Sequence, residues 1–414
     1  MSDHVSGHAQ KGLDPSKQSP VTFLAVFWIF LRLGLTSFGG PVAHLSFFRE
    51  EFVVRRRWLS EASYVDLVAL CQFLPGPGSS QVGIGLGLMR SGYPGALAAW
   101  LGFTLPSAVA LVVVALGLGV YASDLPNGLL QGLKVAALAV VVQAVWGMGR
   151  SLCPDTLRVT LMAMAACALV LSSSTWMPVA VIVLAGLAGL ILLRPTNQQT
   201  MDDLWSVPVS RTGGVVWLTI FATLLVVLPL LAATLPSPTL AVFDAFYRVG
   251  SLVFGGGHVV LPLLEAEVVP AGWVDQEMFL AGYGITQAVP GPLFTFAAFL
   301  GAVMETGPSG WLGATICLVA IFLPSFLLVA GMLPFWAQWR QNLRMRAALM
   351  GINAAVVGIL LAALYDPISV AAITGPGSFA LALIAVVALM FWRWPTWAVV
   401  VLCPALGWGI GLVG

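Results

Sequence analysis

The chain has 414 residues, of which 59% are hydrophobic and only 8% are charged, and its net charge is +1. A soluble domain carries roughly 25% charged residues, so the composition excludes an ordinary soluble protein and predicts a polytopic membrane protein. The near-neutral charge gives no reason to expect a nucleic-acid partner. The five cysteines form no CxxC pair, which argues against a disulfide framework and against a thiolate metal site.

In chain order, residues 1–20 are polar and are predicted to form a cytoplasmic tail. Apolar stretches long enough to cross a bilayer as helices follow at 95–121, 130–150, 157–173, 176–193, 214–234, 309–333, 345–365, 378–392 and 396–413. Glycine and proline interrupt four further apolar regions, 21–53, 61–90, 239–268 and 277–305, which are expected to be either re-entrant helical hairpins or broken spans. The predicted fold is therefore an all-α polytopic membrane protein with about 13 membrane segments.

The basic residues predict an orientation for these segments. If the tail is cytoplasmic and the four interrupted regions return to the side on which they begin, all but three of the 18 basic residues fall on the cytoplasmic side. An excess of Lys and Arg marks the cytoplasmic loops of membrane proteins. The three exceptions, Arg32, Lys134 and Arg248, lie within apolar segments.

The sequence contains an internal repeat. The string RLGLTSFGG at Arg32 recurs as RVGSLVFGG at Arg248, QFLPGP at Gln72 recurs as QAVPGP at Gln287, and LPS occurs at 105–107 and 323–325. The predicted domains are an N-terminal repeat at 21–193, a linker with an unpaired helix (214–234) at 194–238, and a C-terminal repeat at 239–414. The segment between the FGG and PGP sequences carries arginines at 49 and 55–57 in the first copy and acidic residues at 265, 267, 275 and 277 in the second. Because corresponding loops carry opposite charge, the two repeats are predicted to have inverted topology.

The duplicated arginines are the first candidates for a binding site. A cation at membrane depth costs at least about 2.5–3.5 kcal/mol, so Arg32 and Arg248 are expected to face a partner or a cavity. One interpretation is structural, with Arg248 bound to Asp244 and Arg32 bound to Asp66. The other is a paired site in which two guanidinium groups bind an oxyanion.

Other candidate ligands lie beside the predicted helix breaks. Gly39, Gly40, Gly255 and Gly256 are expected either to allow close helix crossing or to expose backbone N–H groups to an anion. Further donors to a substrate are Ser79, Ser80, Gln72, Gln287 and Lys134. Interhelical contact remains an alternative for the two glutamines, and for Lys134 a position near the membrane surface.

Four residues are candidates for a coupling proton: His44, His258, Asp66 and Asp244. A Walker loop, a GxSxG sequence, an HExxH sequence and paired carboxylates at catalytic spacing are absent from the sequence. We therefore predict a protein that is not an enzyme, requires no cofactor or metal, and draws its energy from an ion gradient or from the gradient of its substrate.

Residues 31–81, from LRLGLTSFGGPVAH through RRRW to QFLPGPGSSQ, closely resemble the chromate ion transporter family in its long two-domain form. The residues that match the family pattern are Arg32, the FGGP stretch, His44, Arg49, Glu51, Arg55, Trp58, Asp66 and the PGP region. The resemblance implies export of chromate across the bacterial inner membrane, resistance to chromate, and sulfate as a competitor. It implies membrane potential or a proton gradient as the energy source; a homodimer is a further expectation. Inward transport of sulfate or another oxyanion and a passive anion channel remain alternatives.

Overall fold

The computed structural model describes residues 21–121, 126–172, 174, 177–195, 209–340 and 342–413. Within these residues every regular element is a helix, which confirms the predicted all-α class. The proposed cytoplasmic tail lies outside the described residues. By length and composition, five of the described helices are able to cross a membrane, and six shorter helices are also apolar.

The first half of the chain contains seven helices among its described residues. They are α1 (Phe23–Thr36), α2 (Gly40–Arg49), α3 (Glu61–Phe73), α4 (Gly78–Tyr121), α5 (Asn127–Leu152), α6 (Thr156–Val170) and α7 (Met177–Leu192). A π-helical turn, Glu50–Arg55, extends α2. The backbone of α4 is non-helical at Ser91 and Gly92, and the chain bends sharply there. A Cβ atom at Gly87 would lie 2.2 Å from the carbonyl oxygen of Gly95, so the two parts of α4 pack against each other.

The second half begins after α8 (Arg211–Thr234). Its elements are α9 (Pro238–Leu252), α10 (Val260–Val268), α11 (Gln276–Thr286), α12 (Phe296–Val303), α13 (Gly310–Met332), α14 (Trp336–Trp339), α15 (Leu343–Ala363), α16 (Val370–Ala372), α17 (Pro376–Met390) and α18 (Thr396–Val413). The helix α8 packs on α9 and α13, and the Tyr247 hydroxyl of α9 donates to the carbonyl of Phe221 in α8 at 3.0 Å. The unpaired helix therefore covers one side of the second repeat.

Polar side chains explain where several helices begin. The side chains of Thr22, Ser60, Asp155, Ser210 and Asp275 each accept a hydrogen bond from a backbone N–H in the first turn of the helix that follows. Such caps satisfy N–H groups that have no partner within the helix. Glycines with positive φ and prolines separate helices at 39–41, 75–77, 255–256 and 290–292, because proline lacks an N–H and glycine permits positive φ.

The four regions interrupted by glycine and proline are helical hairpins. We name them hairpin 1 (α1 and α2), hairpin 2 (α3 and the first part of α4), hairpin 3 (α9 and α10) and hairpin 4 (α11 and α12), with tips at residues 37–39, 74–77, 253–256 and 287–292. Contacts between the two arms show that each chain segment doubles back. In hairpin 1 the rings of Phe30 and Phe48 are 5.6 Å apart, and in hairpin 3 Arg248 binds Glu267.

The arms of the other two hairpins also touch. In hairpin 2, a Cβ atom at Gly85 would lie 2.9 Å from a methyl group of Leu67. In hairpin 4, the rings of Tyr283 and Phe296 are 5.7 Å apart. The sequence left re-entrant hairpins and broken spans open as alternatives, and in the structure each of the four segments doubles back on itself.

The two halves exchange their long helices. The first-half helix α5 packs on α17 and α18, whereas the second-half helix α15 packs on α6 and α7. Glycines allow the backbones to approach closely: a Cβ atom at Gly132 would lie 2.3 Å from the carbonyl oxygen of Cys403, and one at Gly351 would lie 2.0 Å from that of Ala185. Small residues at helix crossings are typical of membrane proteins. Each half therefore completes its packing with helices of the other.

Candidate functional site

The tips of the four hairpins meet in two pairs, and each pair joins one repeat to the other. The N–H of Gly76, in hairpin 2, donates to the carbonyl oxygen of Val253, in hairpin 3, at 2.7 Å. The N–H of Gly291, in hairpin 4, donates to the carbonyl oxygen of Ser37, in hairpin 1, at 3.1 Å. The PGP sequence of each repeat thus contacts the residues just before the FGG sequence of the other.

The central glycine of each PGP sequence has a conformation that L-residues rarely adopt. Gly76 has φ of +120° and Gly291 has φ of +107°. A Cβ atom at Gly76 would lie 2.7 Å from the hydroxyl of Ser325, and one at Gly291 would lie 2.8 Å from the hydroxyl of Ser107. These serines end the two LPS sequences, so each reaches a tip that belongs to the opposite repeat. Their duplication was visible in the sequence, but it gave no indication of this position.

Helices also begin at all four tips. The second arms start at Gly40 for α2, at Gly78 for α4, and with short 3₁₀ turns at 257–259 and 293–295 before α10 and α12. The N-terminus of a helix carries partial positive charge and presents backbone N–H groups. The candidate glycines lie here with positive φ, at +101°, +76°, +77° and +146° for Gly39, Gly40, Gly255 and Gly256. The tips therefore combine helix N-termini with unusual backbone conformations.

Several buried polar groups at or beside the tips have no hydrogen-bond partner among the described residues. They are the hydroxyls of Ser37, Ser80, Thr104 and Ser325, the Oε1 atom of Gln81 and the Nε2 atom of Gln287. Buried polar groups are nearly always hydrogen-bonded, so a concentration of such groups marks a place suited to a polar ligand. Ser80 and Gln287 are among the candidates that the sequence indicated.

His44 connects three of the hairpins. Its Nε2 atom lies 3.1 Å from the carbonyl oxygen of Ser37, and its Nδ1 atom lies 3.3 Å from the hydroxyl of Ser79. Because a carbonyl only accepts, Nε2 must carry the hydrogen, and in a neutral ring Nδ1 then accepts from Ser79. The same Ser37 carbonyl also accepts from Gly291, so His44 is part of the contact between hairpins 1, 2 and 4.

His258 has a related position in the second repeat. Its Nδ1 atom lies 2.9 Å from the hydroxyl of Tyr283, which joins hairpins 3 and 4. The two histidines do not align in the sequence repeat, yet each connects the two hairpins of its own repeat. Their suggested role with a coupling proton stays a prediction.

The two duplicated arginines have different surroundings. Arg248 donates from Nε to Asp244 at 2.9 Å, and from its two terminal nitrogens to Glu267 at 2.8 and 2.9 Å. The predicted pair with Asp244 is therefore present, and a second carboxylate joins it. The Asp244 side chain is 6% exposed, and its Oδ1 atom has no described partner. One guanidinium thus faces two carboxylates.

Arg32 lies on the exposed face of α1, and no described residue forms an ion pair with its guanidinium. The predicted alternative pair with Asp66 is wrong. Asp66 instead accepts from Arg340 at 2.8 Å and from the indole of Trp336 at 3.0 Å. Both donors belong to the segment after α13, which packs near α3, and together they bind both oxygens of the Asp66 carboxylate.

Two other candidates lie apart from the buried tip groups. Gln72 is exposed on α3. The buried Lys134 ammonium binds Glu277 at 3.0 Å, at the start of α11 and therefore at the opposite end of that helix from the tip of hairpin 4. Among the described residues, no group of three or more His, Cys, Asp or Glu is arranged to hold a metal ion.

Comparison with known proteins supports a single family. A family model described as chromate transporter matches residues 24–190 and 240–408. A chromate transport protein of Pseudomonas aeruginosa is 28% identical over 367 residues, covering 84% of this chain and 81% of the relative. A probable chromate transport protein of Synechococcus elongatus is 27% identical over 344 residues, covering 80% and 81%.

An uncharacterized transporter of Methanocaldococcus jannaschii is 25% identical over 367 residues, covering 87% of this chain and 88% of the relative. No solved structure matches the chain. The two matches to the family model agree with a chain built from two repeats, and the apolar helices agree with several membrane crossings. The chain is a multi-pass membrane protein and belongs to the chromate transporter family.

Proposed function

We propose that the protein is a secondary transporter that exports chromate from the cytoplasm of a bacterium across its inner membrane and thereby confers resistance. The meeting of the four hairpin tips is the observation that supports this proposal most directly. It brings helix N-termini and unpartnered polar groups together between two repeats. Helix N-termini and hydroxyl or amide donors are suited to a tetrahedral oxyanion and need no cofactor.

The donors at the tips suit transport because most of them are neutral. The hydroxyls of Ser37, Ser80 and Ser325 and the Nε2 group of Gln287 are able to replace part of the hydration shell of chromate. A transport site must bind its ion well enough to admit it and weakly enough to release it. Sulfate has the same charge and shape, so we expect it to compete.

The duplicated arginines take different roles in this proposal. The exposed Arg32 guanidinium has no ion-pair partner among the described residues and lies one helical turn before the tip of hairpin 1, which supports contact with the incoming anion. Arg248 is already neutralised by Asp244 and Glu267. Because these two carboxylates share one cation, they are the better candidates for binding a coupling proton.

In the proposed inverted-repeat topology, the tips lie near the middle of the bilayer. In this topology hairpins 1 and 2 enter from the cytoplasm and hairpins 3 and 4 enter from the opposite side. The cross-repeat hydrogen bonds at Gly76 and Gly291 support that arrangement, and α8 supplies the additional crossing that reverses the second repeat.

Membrane potential favours export of a dianion. Moving one elementary charge across 100 mV is worth about 2.3 kcal/mol, so a dianion leaving a cytoplasm at negative potential gains about 4.6 kcal/mol per 100 mV. That energy corresponds to a concentration ratio on the order of 2,000. Export therefore requires no ATP. A proton gradient is needed only to lower cytoplasmic chromate beyond this ratio or for gating.

The test is chromate flux in proteoliposomes with imposed voltage and pH gradients and with sulfate as competitor. We expect saturable flux that follows the voltage and is inhibited by sulfate. In cells, expression should lower accumulated chromate. Higher accumulation in cells would indicate uptake, preference for sulfate would indicate a sulfate transporter, and unsaturable flux indifferent to pH would indicate a channel; each result contradicts the proposal.

A matched pair of variants tests the site. Arg32→Gln removes the guanidinium near the tip of hairpin 1, and a lost charge-assisted hydrogen bond of about 1.5–3 kcal/mol should lower flux at least about tenfold. Arg344→Gln removes an exposed arginine from the first turn of α15, and flux should match the parent protein. Equal flux in both variants would remove Arg32 from the substrate pathway.

A further inference from the structure

A second basic site lies away from the hairpin tips. A cavity of about 480 Å³ is formed by the first turn of α6, the residues that follow α7 and the first turns of α15. Three arginines line it, Arg158, Arg194 and Arg346, together with a single acidic residue, Asp155. We call this cavity the arginine pocket. It joins helices from both repeats, because α6 and α7 belong to the first half and α15 to the second.

One of the three arginines is held in place by the acidic residue. Asp155 accepts from the backbone N–H of Arg158 at 2.9 Å and from its Nε atom at 2.6 Å. These hydrogen bonds, the backbone one foremost, keep the pKa of Asp155 below its ordinary value, so the carboxylate stays ionised at neutral pH. The Arg158 side chain is only 18% exposed. It is therefore an ordered part of the pocket wall.

The other two arginines have no such partner. No described residue forms an ion pair with Arg194 or Arg346. Counting the described residues alone, three guanidinium groups against one carboxylate leave the pocket with two uncompensated positive charges. Like charges gathered around one cavity repel each other, and a bound anion relieves that repulsion. Arginine is also the side chain whose planar donors best match phosphate oxygens.

The surroundings of the pocket favour a ligand with a polar head. The last turns of α7 expose apolar side chains next to it, with Ile191 82% exposed and Leu187 52% exposed. In the proposed topology this end of the helices faces the cytoplasm, where basic pockets between membrane helices bind anionic lipid head groups.

From this arrangement we propose that the arginine pocket binds a phosphate group and thereby ties α15 of the second repeat to α6 and α7 of the first. Two sources supply the same chemistry, the head group of an anionic lipid and a free phosphate ion. The site is separate from the hairpin tips, so the proposal does not depend on chromate export. A bound phosphate would connect Arg158 and Arg194 to Arg346 and stabilise the contact between the halves.

Thermal unfolding of the purified full chain in detergent tests the proposal with three probes. They are dioctanoyl phosphatidylglycerol, dioctanoyl phosphatidylcholine as its zwitterionic counterpart, and sodium phosphate compared with sodium chloride at equal ionic strength. We expect phosphatidylglycerol or phosphate to raise Tm well above its counterpart. A rise with phosphatidylglycerol alone identifies a lipid head group, and a rise with phosphate as well identifies a site open to the free ion.

Variants show whether the arginines are responsible. The double variant Arg194→Gln with Arg346→Gln should weaken binding of the effective probe about 100-fold, from about tenfold per charge-assisted contact. Arg344→Gln lies two residues from Arg346 but does not line the pocket, so it should bind as the parent does. If the double variant is too unstable to purify, Arg194→Gln alone should show about a tenfold loss. Equal stabilisation of parent and arginine variants, or no stabilisation of the parent by either anionic probe, would overturn the proposal.

Discussion

The two duplicated arginines should differ in what their substitution by glutamine changes. Arg248→Gln should lower the stability of the protein, whereas Arg32→Gln should lower chromate flux with little change in stability. Arg248→Gln leaves Asp244 and Glu267 without their cation, and both carboxylates are largely shielded. Removing one partner of a buried ion pair costs about 3–5 kcal/mol. Because the Arg248 side chain is 23% exposed, we expect the lower end of that range, about 3 kcal/mol. Arg32→Gln removes an exposed side chain with no ion pair among the described residues and should change stability by less than about 0.5 kcal/mol.

Thermal unfolding in detergent, monitored by size-exclusion chromatography, measures the stability difference. Chromate flux per mole of folded protein measures function. Adding Glu267→Gln to Arg248→Gln should restore part of the lost stability, with a coupling energy of at least about 1 kcal/mol. Equal loss of stability in Arg248→Gln and Arg32→Gln would refute the reasoning, and so would an Arg248→Gln protein as stable as the parent. Either result would mean that the carboxylates do not depend on the guanidinium.

The remaining predictions concern the tips, one ion pair and the topology. Gly291→Ala forces a positive φ on alanine, which costs about 1–3 kcal/mol, and places a methyl group against a serine hydroxyl, so chromate flux should be lost. The control variant Gly117→Ala adds its methyl group in open space and should transport normally. Lys134→Met should keep its chromate flux and lose less than about 1 kcal/mol of stability, because the Glu277 carboxylate that Lys134 binds is 70% exposed. A loss of flux in proteoliposomes would show that Lys134 does contribute to the substrate site. With the native cysteines replaced, Val54→Cys and Ala271→Cys should react with an impermeant maleimide from opposite sides of the membrane; labelling from one side would exclude inverted repeats.

The sequence predicted the local features of the fold because proline and glycine act locally. The FGG and PGP sequences marked all four hairpin tips, since a missing N–H or a positive φ interrupts a helix wherever the chain later packs. The pair Arg248–Asp244 was also predictable, because residues four apart share one face of a helix. These contacts depend only on spacing along the chain.

Contacts between distant elements were beyond the sequence. A PGP sequence present in both repeats does not indicate which FGG region it will meet, so the bonds from Gly76 and Gly291 to the opposite repeat were not predicted. One interpretation of the sequence paired Asp66 with Arg32, but in the structure Asp66 accepts a hydrogen bond from Arg340. Ser107 and Ser325 were recognised only as repeated residues, because their positions at the tips depend on how α4 and α13 cross the opposite hairpins.

The exchange of α5 and α15 has a consequence for how such a protein can be divided. If the chain is expressed as two polypeptides separated between α7 and α8, the first fragment lacks the helices that pack on α5 and the second lacks those that pack on α15. Neither fragment should accumulate in the membrane alone, whereas co-expression should restore both and return chromate flux.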